Sequence, residues 1–163
     1  MPTPTYTPLA TVTLGSSASS VTFSNIPATY RDLILVVNTV GSTGAGFYFQ
    51  FNGDTGSNYS YVYALGNGTS TESAAVTATE ARFGNITTGL GTHLLSVMDY
   101  SATDKHKTAL VRSGSPTAGT GTVASWMFAN RWASTAAITS MRIFPSGATM
   151  NSGSTLNLYG VIA

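Results

Sequence analysis

The sequence predicts an all-β domain, a single antiparallel β-sandwich of about ten strands, on three observations. Apolar residues recur at period two rather than 3.6 through most of the chain. Clusters of Gly, Asn, Asp, Pro and Ser separate the alternating windows at roughly 8–15-residue spacing, the punctuation of short strands. The polar positions are filled by 26 Thr and 20 Ser among 163 residues, and Thr keeps strand propensity while staying polar.

In chain order, prolines at positions 2, 4 and 8 hold residues 1–8 extended. This segment reads as an arm outside the sandwich, with Pro2, Pro4, Tyr6 and Pro8 offered to a partner, and the sandwich is assigned to residues 9–163. Ala10, Val12 and Leu14 alternate with threonines, and Val21 and Phe23 with Thr22 and Ser24. Leu33–Val37 is a continuous apolar run, which reads as a central strand buried on both faces. Phe47, Phe49 and Phe51 alternate with Tyr48 and Gln50, the clearest strand signal. Further strands are expected at Tyr59–Leu65, Val76–Phe83, His93–Met98, Thr108–Arg112, Val123–Asn130, Ile138–Phe144 and Thr155–Ile162. Asn52-Gly53-Asp54, Ala102–Lys105, Ser115-Pro116-Thr117 and Pro145-Ser146-Gly147 read as turns. Thr71–Arg82 can be set on one helical face through Ala74, Ala75, Ala78 and Ala81, but its threonines and the following Phe83-Gly84 fit a strand or loop equally well, and it is read as strand.

Charge is scarce. Seven Lys and Arg against six Asp and Glu make 8% of the chain and a net charge of +1, where an average domain has roughly 25%. Such a chain offers no counterion-release footprint for nucleic acid and no polybasic patch for a membrane surface. No apolar run approaches the ~20 residues of a membrane-spanning helix. Cys is absent, which excludes disulfides and thiolate metal sites. The first residues have neither the basic nor the apolar stretch of a secretory signal, and none is expected. Low charge also has a positive use: Ser and Thr cost far less to desolvate than ions, so such a surface suits permanent contacts between subunits.

Catalytic chemistry finds little material. His93 opens a strand and His106 follows a turn; neither has metal-ligand spacing, and both read as turn or surface histidines. No Gly-x-Ser-x-Gly elbow occurs, and the acids are scattered, Asp99 and Asp104 being nearest in a turn. The expectation is no catalytic residue, no metal and no cofactor. The Asn52–Ser60 loop offers oxygens from Asp54 and Asn58, but one carboxylate falls short of a calcium loop; it reads as an Asx-turn network tying a long hairpin. Sequons at Asn58, Asn67 and Asn85 arise by chance in a chain so rich in Ser and Thr. Trp126 and Phe128 share a face, with Met127 on the other, and read as core. Tyr59, Tyr61 and Tyr63 alternate beside Asn58, with Trp132 just past a strand end. Together these five form a candidate glycan or subunit contact, since exposed aromatics stack on sugar rings while Asn bonds hydroxyls. The plainer alternative is an amphipathic tyrosine stripe at a sheet edge.

One stretch carries a likeness. Val21-Thr22-Phe23-Ser24-Asn25-Ile26-Pro27-Ala28-Thr29-Tyr30-Arg31-Asp32-Leu33 resembles a segment common in small virion proteins of tailed bacteriophages, marine and cyanobacterial ones in particular. Phe51-Asn52-Gly53-Asp54 with Ser57–Ser60, Met98–Ser101 leading to His106-Lys107, Arg131-Trp132 before Ile138-Thr139, and Leu158-Tyr159-Gly160 are similar too, so the likeness runs from about Pro8 to the end of the chain. It implies a jelly-roll-like sandwich on the virion exterior, made in the host cytoplasm, in a tail-fibre or head-decoration protein. The implied partners are other virion structural proteins and copies of itself, a homotrimer favoured, with a host surface glycan as a further candidate. It implies no catalytic residue. Arg31 and Asp32 are expected to cap the corner before the buried strand. No heptad run precedes the domain, so a fibre stalk would come from another protein.

Overall fold

The computed structural model describes residues 5–116 and 123–162. Alternation of apolar and polar side chains becomes alternation of burial along twelve strands, and no helix occurs among these residues. The strands are β1 (Tyr6–Thr13), β2 (Val21–Phe23), β3 (Asp32–Thr39), β4 (Ala45–Phe51), β5 (Tyr59–Gly66), β6 (Thr71–Ala78), β7 (Ala81–Ile86), β8 (Gly91–Met98), β9 (Lys107–Pro116), β10 (Val123–Trp132), β11 (Met141–Pro145) and β12 (Thr155–Val161). They form an eight-stranded sheet in the order β1-β12-β3-β8-β9-β10-β5-β6 and a four-stranded sheet in the order β2-β11-β4-β7. Every pairing is antiparallel.

Setting aside the hairpins β5–β6 and β9–β10, the remaining strands alternate between sheets, β1-β12-β3-β8 facing β2-β11-β4-β7. That is the jelly-roll order. The two hairpins are appended beyond β8, so the larger sheet is twice as wide as the sheet that covers it. Between the sheets lie Phe47, Phe49 and Phe83 with Leu35, Leu95, Val111 and Ile143, all without solvent exposure. Phe47 stacks on Phe83 at 5.1 Å between ring centroids, and Phe49 meets Phe83 edge-on at 5.8 Å, arrangements that suit aromatic quadrupoles.

The stretches around Asn25–Leu33, Asn52, Asp99–Tyr100 and Gly160 are joints of this fold. Asn25 adopts a left-handed backbone, φ 56°. Buried Tyr100 donates its hydroxyl to the Pro27 carbonyl and accepts the Tyr30 amide at 3.4 Å. Asp32 accepts the Asp99 amide at 2.9 Å, while its contact with exposed Arg31 is a 3.8 Å surface pair, so Asp32 rather than Arg31 fastens the corner. Gly160 lies against the Tyr30 ring so closely that any Cβ there would collide with it. Asn52 turns the chain at φ 53° and holds the loop before β11, accepting the Thr139 amide at 2.8 Å and donating to the Ala137 carbonyl at 2.8 Å.

Several sequence expectations need correction. The strand expected at Val76–Phe83 is two strands in different sheets, β6 and β7, broken at Thr79-Glu80. That break has no Gly or Pro to announce it; the buried Gln50 amide fastens it by donating to the Thr79 carbonyl at 3.1 Å. The arm does not extend to residue 8: Tyr6, Thr7 and Pro8 pair with Val161, Gly160 and Tyr159. An edge strand tolerates Pro8, whose missing N–H can face outward, and the register shifts just after it, at Leu9. Pro2 and Pro4 lie outside the described residues. β3 is central, but of its apolar run only Leu33, Leu35 and Val37 are buried, while Ile34 and Val36 on its outer side are partly exposed. Ser115 and Pro116 end β9 rather than forming a turn.

Candidate functional site

The five residues read as one contact do not stay together. Tyr59 and Trp132, paired across β5 and β10, are 1% and 3% exposed and belong to the core. Their rings stack at 6.4 Å, and Trp132 also meets Phe51 at 5.6 Å. The Tyr59 hydroxyl accepts the Phe51 amide at 2.9 Å. The Asp54 carboxylate accepts the Trp132 indole N–H at 2.6 Å, the Gly56 amide at 2.8 Å and the Asn58 side-chain amide at 3.0 Å. Burial works to raise the Asp54 pKa, but these three donors outweigh it and hold it below the ordinary carboxylate value. The loop is thus an Asx-turn knot locking Trp132 inside, and both Asp54 carboxylate oxygens are already engaged by donors. Asn58 is exposed, yet its amide serves that knot. Trp132 is the last residue of β10, not a loop residue beyond it.

Tyr61 and Tyr63 take a different course. They are half-buried on the inner side of β5, against Phe128 at 6.1 and 5.7 Å, with Tyr63 also 5.9 Å from Trp126. Trp126 Nε1 is buried without an acceptor among the described residues. The other wall is the free edge of β7. There the buried Asn130 side chain imitates a neighbouring strand, accepting the Arg82 amide at 2.8 Å and donating to the Arg82 carbonyl at 3.1 Å. The Arg82 guanidinium lies 4.6 Å over the Tyr48 ring and donates to Tyr48 Oη and Asn85 Oδ1.

Two buried polar groups escaped the sequence reading. His93 is fully buried between Phe47 and Phe83, with Nδ1 2.7 Å from the Ser113 hydroxyl. Burial pushes its pKa down to about 4, so the ring is neutral. It is neither a turn nor a surface histidine; His93, Leu95 and Val97 share one face of β8, a parity already visible in the sequence. This serine–histidine pair sits beneath aromatic rings with Gly84, at φ 134°, pressed against it, leaving no room for a substrate. Lys107 is 1% exposed, and its ammonium donates to the Lys105 and Thr135 carbonyls at 3.0 and 3.2 Å. Burial lowers its pKa. Exposed His106 lies with Nδ1 2.7 Å from Arg131. Among the described residues, no three His, Asp or Glu side chains are grouped to hold a metal ion.

The surface with most to offer is the outer side of the large sheet. Register aligns Ser96, Leu110, Ala129, Val62 and Ala75 in one row across β8, β9, β10, β5 and β6, and Met98, Thr108, Arg131, Ser60 and Thr77 in the next. Small side chains make a floor and larger ones a rim, leaving a groove of about 590 Å³. Val62, Met98, Leu110 and Met127 are 55%, 57%, 47% and 52% exposed. Covering such half-exposed side chains would contribute roughly 1 kcal/mol each. Alternation in the sequence placed Met127 outside, but the row emerges only from pairing of non-consecutive strands. Comparison of the chain with protein-family models, curated proteins and solved structures finds no match.

Proposed function

We propose that the chain is a non-enzymatic structural subunit of a tailed-bacteriophage particle, exposed on the virion as a tail-fibre-type protein and assembling with itself and with neighbouring virion proteins. The observation that carries this reading is the exposed apolar row of Val62 and Leu110 on the outer side, with Met98 beside it in the next row, on a protein with 8% charged residues. Exposed apolar patches of this kind mark interaction surfaces. The jelly-roll order supports it in kind, since capsid proteins and lectins use this architecture, though a fold alone does not assign a role. The ordered run of motifs at the joints adds to it. The glycan reading loses Tyr59 and Trp132 to the core and keeps Tyr61 and Tyr63, so self-association is the stronger use of the surface.

The test is antibody labelling of intact particles by electron microscopy. Label at fibre tips is the expected result. Label spread over the head would replace the tail assignment with that of a capsid decoration protein. Absence of the chain from purified particles would overturn the proposal.

A further inference from the structure

In a four-on-four jelly roll each sheet covers the other, but here the appended hairpins outrun the cover. One inner row shows where it ends. Leu95, Val111 and Phe128 are buried, Tyr63 on β5 is half-buried, and Ala74 on β6 is exposed. Glu72, on the same side of β6, is exposed as well. The inner side of β6 therefore lies beyond the cover, while on β5 Tyr61 and Tyr63 are half-buried between buried Tyr59 and Leu65. The outer side of the same sheet has the reverse problem, an apolar row with nothing upon it.

Charge distinguishes the two surfaces. The ion pairs among the described residues join Arg31 to Asp32 and Lys105 to Asp99 and Asp104. Arg112 and Arg131, both on the outer side and exposed, enter none of them. Nor does Glu72, exposed on the inner side of β6. The outer surface is thus apolar and basic, whereas the exposed charge on the inner side of β6 is acidic, the Arg82 guanidinium being held apart over the Tyr48 ring.

We infer that the uncovered inner side of β6 in one copy, with its half-buried margin at Tyr63, packs on the outer side of the large sheet in a second copy, Glu72 meeting Arg112. This deepens the assembly reading and rests on it. Packing outer side to outer side would gather four arginines without a carboxylate, a repulsive arrangement. Pairing β6 edge to edge would leave the apolar row exposed. The crossed contact covers the apolar outer row, opposes Glu72 to Arg112, and is ordinary face-to-face sheet packing. Because two different patches join, the contact is heterologous, and copies close into a ring wherever the rotation permits.

Sedimentation of the full-length protein with charge-reversal variants tests this. Glu72→Arg and Arg112→Glu each replace attraction with repulsion at exposed positions, and each should weaken association about tenfold. The double variant should recover most of that loss, and Leu110→Asp should yield a monomer with an unchanged circular dichroism spectrum. A wild-type monomer at high concentration overturns the inference. So does an oligomer disrupted by Leu110→Asp but indifferent to Glu72→Arg, which would point to outer-side pairing, and so does single-variant loss without recovery in the double. A monomer that is still found in purified particles would overturn this contact alone, whereas absence from particles would overturn the virion role.

Discussion

His93 gives the protein a pH dependence of definite sign. In the unfolded chain an imidazole titrates near its ordinary value of 6.5, while in the fold burial lowers the pKa to about 4. Between these values the unfolded state binds more protons, so stability is intact above pH 6.5 and declines as pH falls towards 4. The loss reaches roughly 3 kcal/mol at the acid end. Urea denaturation across that range should show it, and the His93→Gln variant should be flat; a parallel decline in both would assign the slope to other groups. Burial of this residue was legible in principle, from its parity with Leu95 and Val97. Burial of Tyr59 and Trp132 was not. Alternation tells which side of a strand a residue takes, but only the Asp54 loop, folding back to accept the Trp132 indole, decides that this end of β5 is closed.

The strands themselves were legible wherever one face is consistently apolar. Phe47, Phe49 and Phe51 marked β4, and Leu33, Leu35 and Val37 marked β3. The pattern failed at β6, whose eight residues Thr71–Ala78 include no apolar side chain larger than Val76 and leave most positions exposed. A strand with no buried face has no period to read, and it ran into β7 in the sequence. The same lack of burial sets its dynamics. β6 pairs only with β5 and is the outermost strand of its sheet, so its backbone hydrogen bonds open locally at little cost. Hydrogen exchange in a dilute monomer should be on the order of a hundredfold faster in Thr71–Ala78 than in Leu33–Val37. If β6 is covered in the assembly, raising the concentration should slow it selectively. Equal protection of both strands in the monomer would mean that the hairpin is held by something other than β5.

At the scale of the whole molecule, low charge and the fold depend on each other. The jelly roll joins strands distant in sequence, β1 to β12 and β3 to β8, so its stability comes from the apolar layer between sheets, a non-directional force. The ion pairs present are surface contacts of 3.4–3.9 Å, a kind worth little. Among the described residues the one fully buried cation, Lys107, is satisfied by carbonyls rather than by a carboxylate. Folding of the monomer should therefore be nearly indifferent to salt. Between about 0.05 and about 0.5 M NaCl the unfolding free energy of the Leu110→Asp monomer should change by less than about 1 kcal/mol, because screening removes only exposed pairs. Self-association should behave otherwise. Its apolar part is insensitive to screening, but the Glu72–Arg112 contact is not, so the same salt increase should weaken the wild-type oligomer several-fold. Unfolding that responds to salt as strongly as association would place the charge pairs inside one copy and remove the reason for a crossed contact between two.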